Sequence, residues 1–133
     1  MYLAMLDLEK KHLFLNLEIY LSKIDGDFSA DEQRIIDAHC VEMHIDNNGY
    51  EAEISQSDVL RQIDTTLNET EKKIFFLELV GTVLADNVYS SSEKALLDKL
   101  ATIFGMSEEK VSKAFSIIEE MKALYQECRD FIA

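Results

Sequence analysis

Carboxylates are the residues of this chain most able to do chemistry. Between positions 25 and 64 stand Asp25, Asp27, Asp31, Glu32, Asp37, Glu42, Asp46, Glu51, Glu53, Asp58 and Asp64, opposed only by Arg34 and Arg61. Ca²⁺ and Mg²⁺ are hard cations that take oxygen ligands. Crowded carboxylates also raise one another's pKa until a cation relieves the repulsion. A solvated acidic face has the same composition, so the cluster supports both readings. An EF-hand is excluded. Counted from Asp25, the sixth position is Ala30 where the loop needs Gly, and the twelfth is Ile36 where it needs Glu. Counted from Asp46, Tyr50 and Glu51 fall at the fifth and sixth positions.

Other chemistries have thinner support. Asp37, Cys40 and His44 share a helical face, with His39 nearby. Zinc wants three or four such ligands with oriented partners behind them. Cys40 lies between Ile36 and Met43 and reads equally as a small core residue. Glu9-x-x-His12 is half of a di-iron carboxylate motif, and no second copy exists. The chain has no Gly-rich phosphate loop and no Gly-x-Ser-x-Gly, and its 3 His and 2 Cys carry no nucleophile signature. A non-enzymatic protein is expected.

Helices must position these groups. With 4 Gly and no Pro in 133 residues, the chain lacks the turn residues of a sheet-rich domain. Apolar residues instead recur at helical spacing: Leu13, Leu17, Tyr20, Leu21 and Ile24 form one stripe, and Leu96, Leu97, Leu100, Ile103 and Phe104 another. The patterning predicts six helices, at 8–24, 30–45, 56–66, 69–86, 91–104 and 108–131. Ser29-x-x-Glu32 and Ser90-x-x-Glu93 are capping boxes, Asn68-x-x-Glu71 a looser version, and Ser107 precedes two acids suited to a helix N-terminus. Segment 46–55 is the one clear loop. The length fits a single domain over 1–133.

One corner occurs twice. Asp25-Gly26-Asp27-Phe28-Ser29-Ala30-Asp31-Glu32 aligns with Asp86-Asn87-Val88-Tyr89-Ser90-Ser91-Ser92-Glu93 at an offset of 61, as the pairs Asp25/Asp86 and Glu32/Glu93 show. Ile35/Leu96, Ile36/Leu97 and Asp37/Asp98 continue the match. Gly26 and Asn87 suit the left-handed conformation that ends a helix. Phe28 and Tyr89 precede the capping Ser, where a hydrophobic staple packs. The motif is a helix–turn–helix corner, and its acids serve that corner alone or an ion as well.

At these residues the chain resembles the tellurite-resistance TerB family, whose domain is also related to the N-terminal part of DjlA-type co-chaperones. The resemblance extends through Leu100-x-x-Ile103-Phe104-Gly105-Met106-Ser107. It implies an all-α bundle of two repeat-related halves, an acidic surface holding a divalent cation, and a link to stress responses. Carried over by position, the acids are Asp25, Glu32, Asp86 and Glu93, with Asp27 in the first turn beside them. Asn87 stands where the family has Gly. No J-domain follows, so a co-chaperone role is not implied.

The balance of 26 acids against 13 bases, net −13, argues against nucleic acid and against anionic membrane surfaces. The start, Met1-Tyr2-Leu3-Ala4-Met5-Leu6-Asp7, lacks the charged lead of a signal peptide, no stretch is long enough to span a membrane, and a cytoplasmic location with reduced cysteines is expected. Tyr2, Leu3, Met5 and Leu6 must be covered, by their own bundle, by a partner's groove or by a homodimer seam. Phe131 and Ile132 at the tail cap the core or offer a contact. The expectation is a TerB-like stress-response module that binds Ca²⁺ or Mg²⁺ at its two corners, or a protein-interaction scaffold with no metal site.

Overall fold

Among the described residues each α-helix begins at a side chain that accepts the third amide of its first turn. Asp7, Ser29, Ser55, Asn68, Ser90 and Ser107 hold the amides of Lys10, Glu32, Asp58, Glu71, Glu93 and Lys110. Each such cap is worth about 1 kcal/mol, which fixes where the chain turns helical. The computed structural model describes residues 1–24, 26, 28–85 and 89–133. Among them lie α1 (Leu8–Lys23), α2 (Ala30–Met43), α3 (Gln56–Thr66), α4 (Glu69–Val83), α5 (Ser91–Ile103) and α6 (Glu108–Ile132), with short 3₁₀ turns at Leu3–Met5 and Asn48–Tyr50, and no strand. The expected all-α class and boundaries stand to within three residues. Asn68 and Glu71 form a complete capping box, not a looser one.

The ends are as local as the starts. After α2, His44 adopts φ 57° while its amide bonds Val41 O and the Ile45 amide bonds Cys40 O. After α5, Gly105 at φ 67° repeats the arrangement, with its amide on Thr102 O and the Met106 amide on Ala101 O. Both are Schellman motifs, which close the last carbonyls of a helix.

Two helices form the centre. α1 packs on α2, α3, α4 and α5, while α4 packs on α1, α2, α5 and α6. The single stripe expected for α1 is therefore replaced by burial around nearly its whole circumference: Leu13 to Ile19 are all buried, and Ile24 is exposed. A helix surrounded by others buries every face. The halves are thus α1–corner–α2 and α4–corner–α5, with the first helix of each pair at the centre. Phe14 meets Phe75 edge-on at 5.2 Å across this seam. A smaller apolar cluster of Leu15, Ile19, Ile36 and Cys40 lies between α1 and α2. Leu3 and Leu6 dock on their own bundle, leaving Tyr2 and Met5 exposed. Phe131 and Ile132 do not cap the core.

Candidate functional site

The described residues of each corner form a capping box. At the first, the Ser29 amide donates to Glu32 Oε1 (3.1 Å) and the Glu32 amide to Ser29 Oγ (3.0 Å). At the second, the same pair of bonds joins Ser90 and Glu93 at 3.1 Å each. Glu32 and Glu93 are 5% and 4% exposed, so each is an internal part of its turn. Phe28 packs edge-on to Tyr50 at 5.3 Å with the Lys23 ammonium over its ring, and Tyr89 packs on Phe115 at 5.5 Å. Burial, and then Asp98 and Glu93, push the Tyr89 hydroxyl up to about 12. The remaining expected ligands, Asp25, Asp27 and Asp86, lie outside the described residues. Among the described residues no three His, Cys, Asp or Glu side chains are grouped as a metal site.

The zinc arrangement does not assemble. Asp37 accepts from the Tyr50 hydroxyl (2.8 Å) and from Asn47 Nδ2 (2.9 Å), pinning the 45–55 loop. Cys40 is buried, and burial followed by Glu18, Asp37 and Asp46 pushes its thiol up to about 12. His44 is the exposed C-cap of α2.

The structure assembles a different set of groups where the central helices meet. Glu18 on α1, His39 and Glu42 on α2, and Glu78 and Thr82 on α4 converge at the N-terminal segment. His39 Nδ1 lies 2.6 Å from Glu18 Oε2, and Nε2 lies 3.4 Å from Glu78 Oε2. Thr82 Oγ1 lies 2.6 Å from Glu18 Oε2 and 3.1 Å from the Glu78 carbonyl. The Met1 ammonium pairs with Glu78 Oε1 (2.8 Å) and Glu42 Oε1 (3.0 Å). The Tyr2 amide donates to Glu78 Oε1 (2.9 Å) and the Leu3 amide to Glu42 Oε2 (2.8 Å). Side-chain exposure is 0% at Glu18, 4% at Glu78 and 12% at His39.

Electrostatics follow from this placement. Burial opposes charging of His39, yet the carboxylates of Glu18 and Glu78 outweigh it and hold the imidazole pKa above its ordinary value. Burial likewise pushes the Glu42 carboxyl up, but the Met1 ammonium and the Leu3 and Ala4 amides overcome it and hold it below the usual carboxylate range. Glu18 Oε1 and Ser22 Oγ, one turn apart on α1, are buried with no hydrogen-bond partner among the described residues. Phe14 presents its edge to the His39 ring at 5.7 Å. The arrangement is a clamp: one imidazole with a carboxylate on each ring nitrogen, tying three helices together.

In the sequence Glu18 and Glu78 each interrupt an apolar run, at 13–21 and 74–85. That interruption was the signal. A Glu flanked on both sides by core residues must be buried with a partner.

A second buried polar residue, Asn16, fixes the long loop. Its Oδ1 accepts the amides of Glu53 (2.7 Å) and Ile54 (3.1 Å), and the Tyr20 hydroxyl donates to the Ile54 carbonyl. An open cleft of about 580 Å³ lies between α2, α4 and α6, its lining including Arg34, Ile35, Lys122, Tyr125 and Arg129.

Comparison with solved structures finds the same architecture. The crystal structure of a tellurite resistance protein from Nostoc punctiforme superposes with a TM-score of 0.69 at 22% identity, covering 93% of this chain and 80% of that one. The fold is TerB-like. This agrees with the all-α TerB-like fold that the resemblance at the duplicated corner implies. No protein-family model matches the sequence, and no curated protein matches it. Among the described residues no helix of this TerB-like bundle is long and apolar enough to cross a membrane.

Proposed function

We propose that the chain is a non-enzymatic, TerB-like binding module acting on protein partners in the cytoplasm, in a stress response of the kind its fold neighbour is named for, tellurite resistance. The observation that carries the reading is the buried clamp. Glu18, His39 and Glu78 face one another between three helices, so their charges hold the scaffold and are not presented to a substrate. The Cys40 thiol, pushed up to about 12, is likewise a core group and a poor nucleophile. Deleting the gene in its host should lower survival on tellurite, and a copy carrying Cys40→Ala with Cys128→Ser should restore it. Unchanged survival after deletion overturns the stress link. Failure of the folded thiol-free variant to restore survival overturns the non-enzymatic reading.

A divalent cation at the two corners is the second reading. It is favoured by the recurrence of one corner, with a buried N-terminal glutamate in each copy, at positions where the sequence also sets Asp25, Asp27 and Asp86. Calorimetric titration with Ca²⁺ and with Mg²⁺ tests it. Heat abolished by Asp25→Asn with Asp86→Asn supports the site, and no heat at millimolar cation ends it. Glu32 and Glu93 are poor choices for substitution here, because each also caps a helix.

A further inference from the structure

The cleft between α2, α4 and α6 is a place where this acidic chain gathers cations. Arg34 on α2 and Lys122 and Arg129 on α6 line it, against the carboxylates of Asp31 and Glu119. Three cations to two acids is a local excess of positive charge in a chain whose acids outnumber its bases 26 to 13. Both arginines keep most of their donors. Arg34 pairs through Nη2 with Asp31 on its own helix, and Arg129 donates through Nη2 to Gln126 Oε1 at 2.7 Å. A guanidinium carries five N–H groups, so each bond leaves the rest of the fork for a further acceptor. Lys122 is engaged, its Nζ donating to the Leu84 carbonyl. The two arginines, one on each wall, are therefore the groups offered to a ligand.

The α4 side of the cleft carries an independent sign. Gly81 stands inside α4, where glycine is destabilising relative to alanine. A Cβ there would meet Ile118 Cδ1 at 3.7 Å, an ordinary contact. The packing of α4 on α6 thus has room for alanine, and what the glycine preserves is depth in the cleft that it lines. Guanidinium forks match carboxylates in shape and charge. At about 580 Å³ the cleft is too large for a bare ion, and it is too open to enclose most of a small molecule as small-ligand sites do. An extended segment lying between the two arginine-bearing walls suits it. We propose that the cleft binds a short acidic segment of a partner protein, with one carboxylate toward Arg34, one toward Arg129, and an apolar side chain between them over Gly81 and Ile35. The inference rests on the reading of the chain as a protein-binding module and gives that partner its chemistry. Repulsion from the acidic remainder of the chain keeps the affinity modest, about millimolar for a short peptide.

The probe is the acetylated, amidated hexapeptide Glu-Leu-Glu-Glu-Leu-Glu, titrated into the isotope-labelled full chain to about 5 mM and followed by amide chemical shifts. Shifts should centre on Arg34, Gly81, Gln126 and Arg129, and the same peptide with Gln for Glu should produce none. Arg34→Gln with Arg129→Gln should weaken binding about tenfold and leave the fold intact, since both side chains are exposed. Gly81→Ala separates a binding role from a packing one. It should raise the urea midpoint by about 0.25–0.5 M and yet weaken peptide binding by about threefold. Silence over the whole titration overturns the proposal, as does binding indifferent to Arg34→Gln with Arg129→Gln. Shifts gathered instead on Lys72, Lys73 and Lys110, which line a smaller hollow of about 160 Å³, overturn it too. Citrate binding at the same amides as tightly as the peptide overturns the peptide in favour of a small anion. Survival on tellurite reads the proposed function by itself, so failure of the cleft and failure of that function are told apart.

Discussion

Replacing His39 by Ala is the sharpest test of the clamp. The substitution leaves Glu18, fully buried, and Glu78, 4% exposed, without the imidazole between them. Breaking a buried ion pair from one side costs about 3–5 kcal/mol, because the remaining charge is stranded in low dielectric. A surface histidine changed to alanine would cost under about 0.5 kcal/mol. With a urea m-value near 2 kcal/mol/M for a domain of this size, the expected loss moves the unfolding midpoint down by about 1.5–2.5 M. The assay is urea unfolding followed by far-UV circular dichroism at a series of pH values. His39 has a folded pKa raised above its ordinary 6.5, so near neutrality the folded state binds more protons than the unfolded one. Its contribution is fully present below pH 6.5 and is lost as pH rises through the folded pKa. The gap between wild type and His39→Ala should accordingly be widest near pH 6 and shrink in more alkaline solution. Glu18, Glu42, Glu78 and the Met1 ammonium face the same imidazole region from α1, α2, α4 and the N-terminal segment, and all four groups are present in both proteins. A loss below about 1 kcal/mol at pH 6, or a gap that widens with pH, refutes the clamp.

Three further outcomes are expected. Ser29→Ala and Ser90→Ala should each lower unfolding free energy by about 1 kcal/mol, through loss of the bond to the Glu32 or Glu93 amide; their effects should add in the double variant, measured by the same urea titration. In native protein a thiol reagent at pH 8 should label Cys128, which is exposed, and spare Cys40, whose thiol is pushed up to about 12; in denaturant both should react, as counted by mass spectrometry. Asn16→Ala should cost about 1–3 kcal/mol by stranding the Glu53 and Ile54 amides, and limited proteolysis should then cut within 46–55 first.

Much of the scaffold was legible because its instructions are local. Ser29, Asn68, Ser90 and Ser107 each declare a helix start within four residues, and Gly105 closes α5 within six. Asp7 and Ser55 do the same work and were passed over, since neither is followed by the Glu that completes a capping box. The duplicated corner was legible for the same reason, and it pointed to the TerB-like architecture that the Nostoc punctiforme structure shares.

What the chain order could not reveal is which faces meet. α1 was read as a one-sided helix and turned out to be enclosed by four others, a consequence of packing that no periodicity within sixteen residues records. Glu18, His39 and Glu78 lie on three separate helices and become neighbours only when α1 and α4 cross at the centre of the bundle. The acids that stood out in sequence did so by number, whereas burial selects by position: Glu32 and Glu93 became parts of turns, and two glutamates lost in apolar runs became the electrostatic centre. Sequence determined where each helix begins and ends, because capping is settled by atoms a few residues apart. Tertiary structure alone decided which charges are desolvated together, because that depends on contacts between segments tens of residues distant.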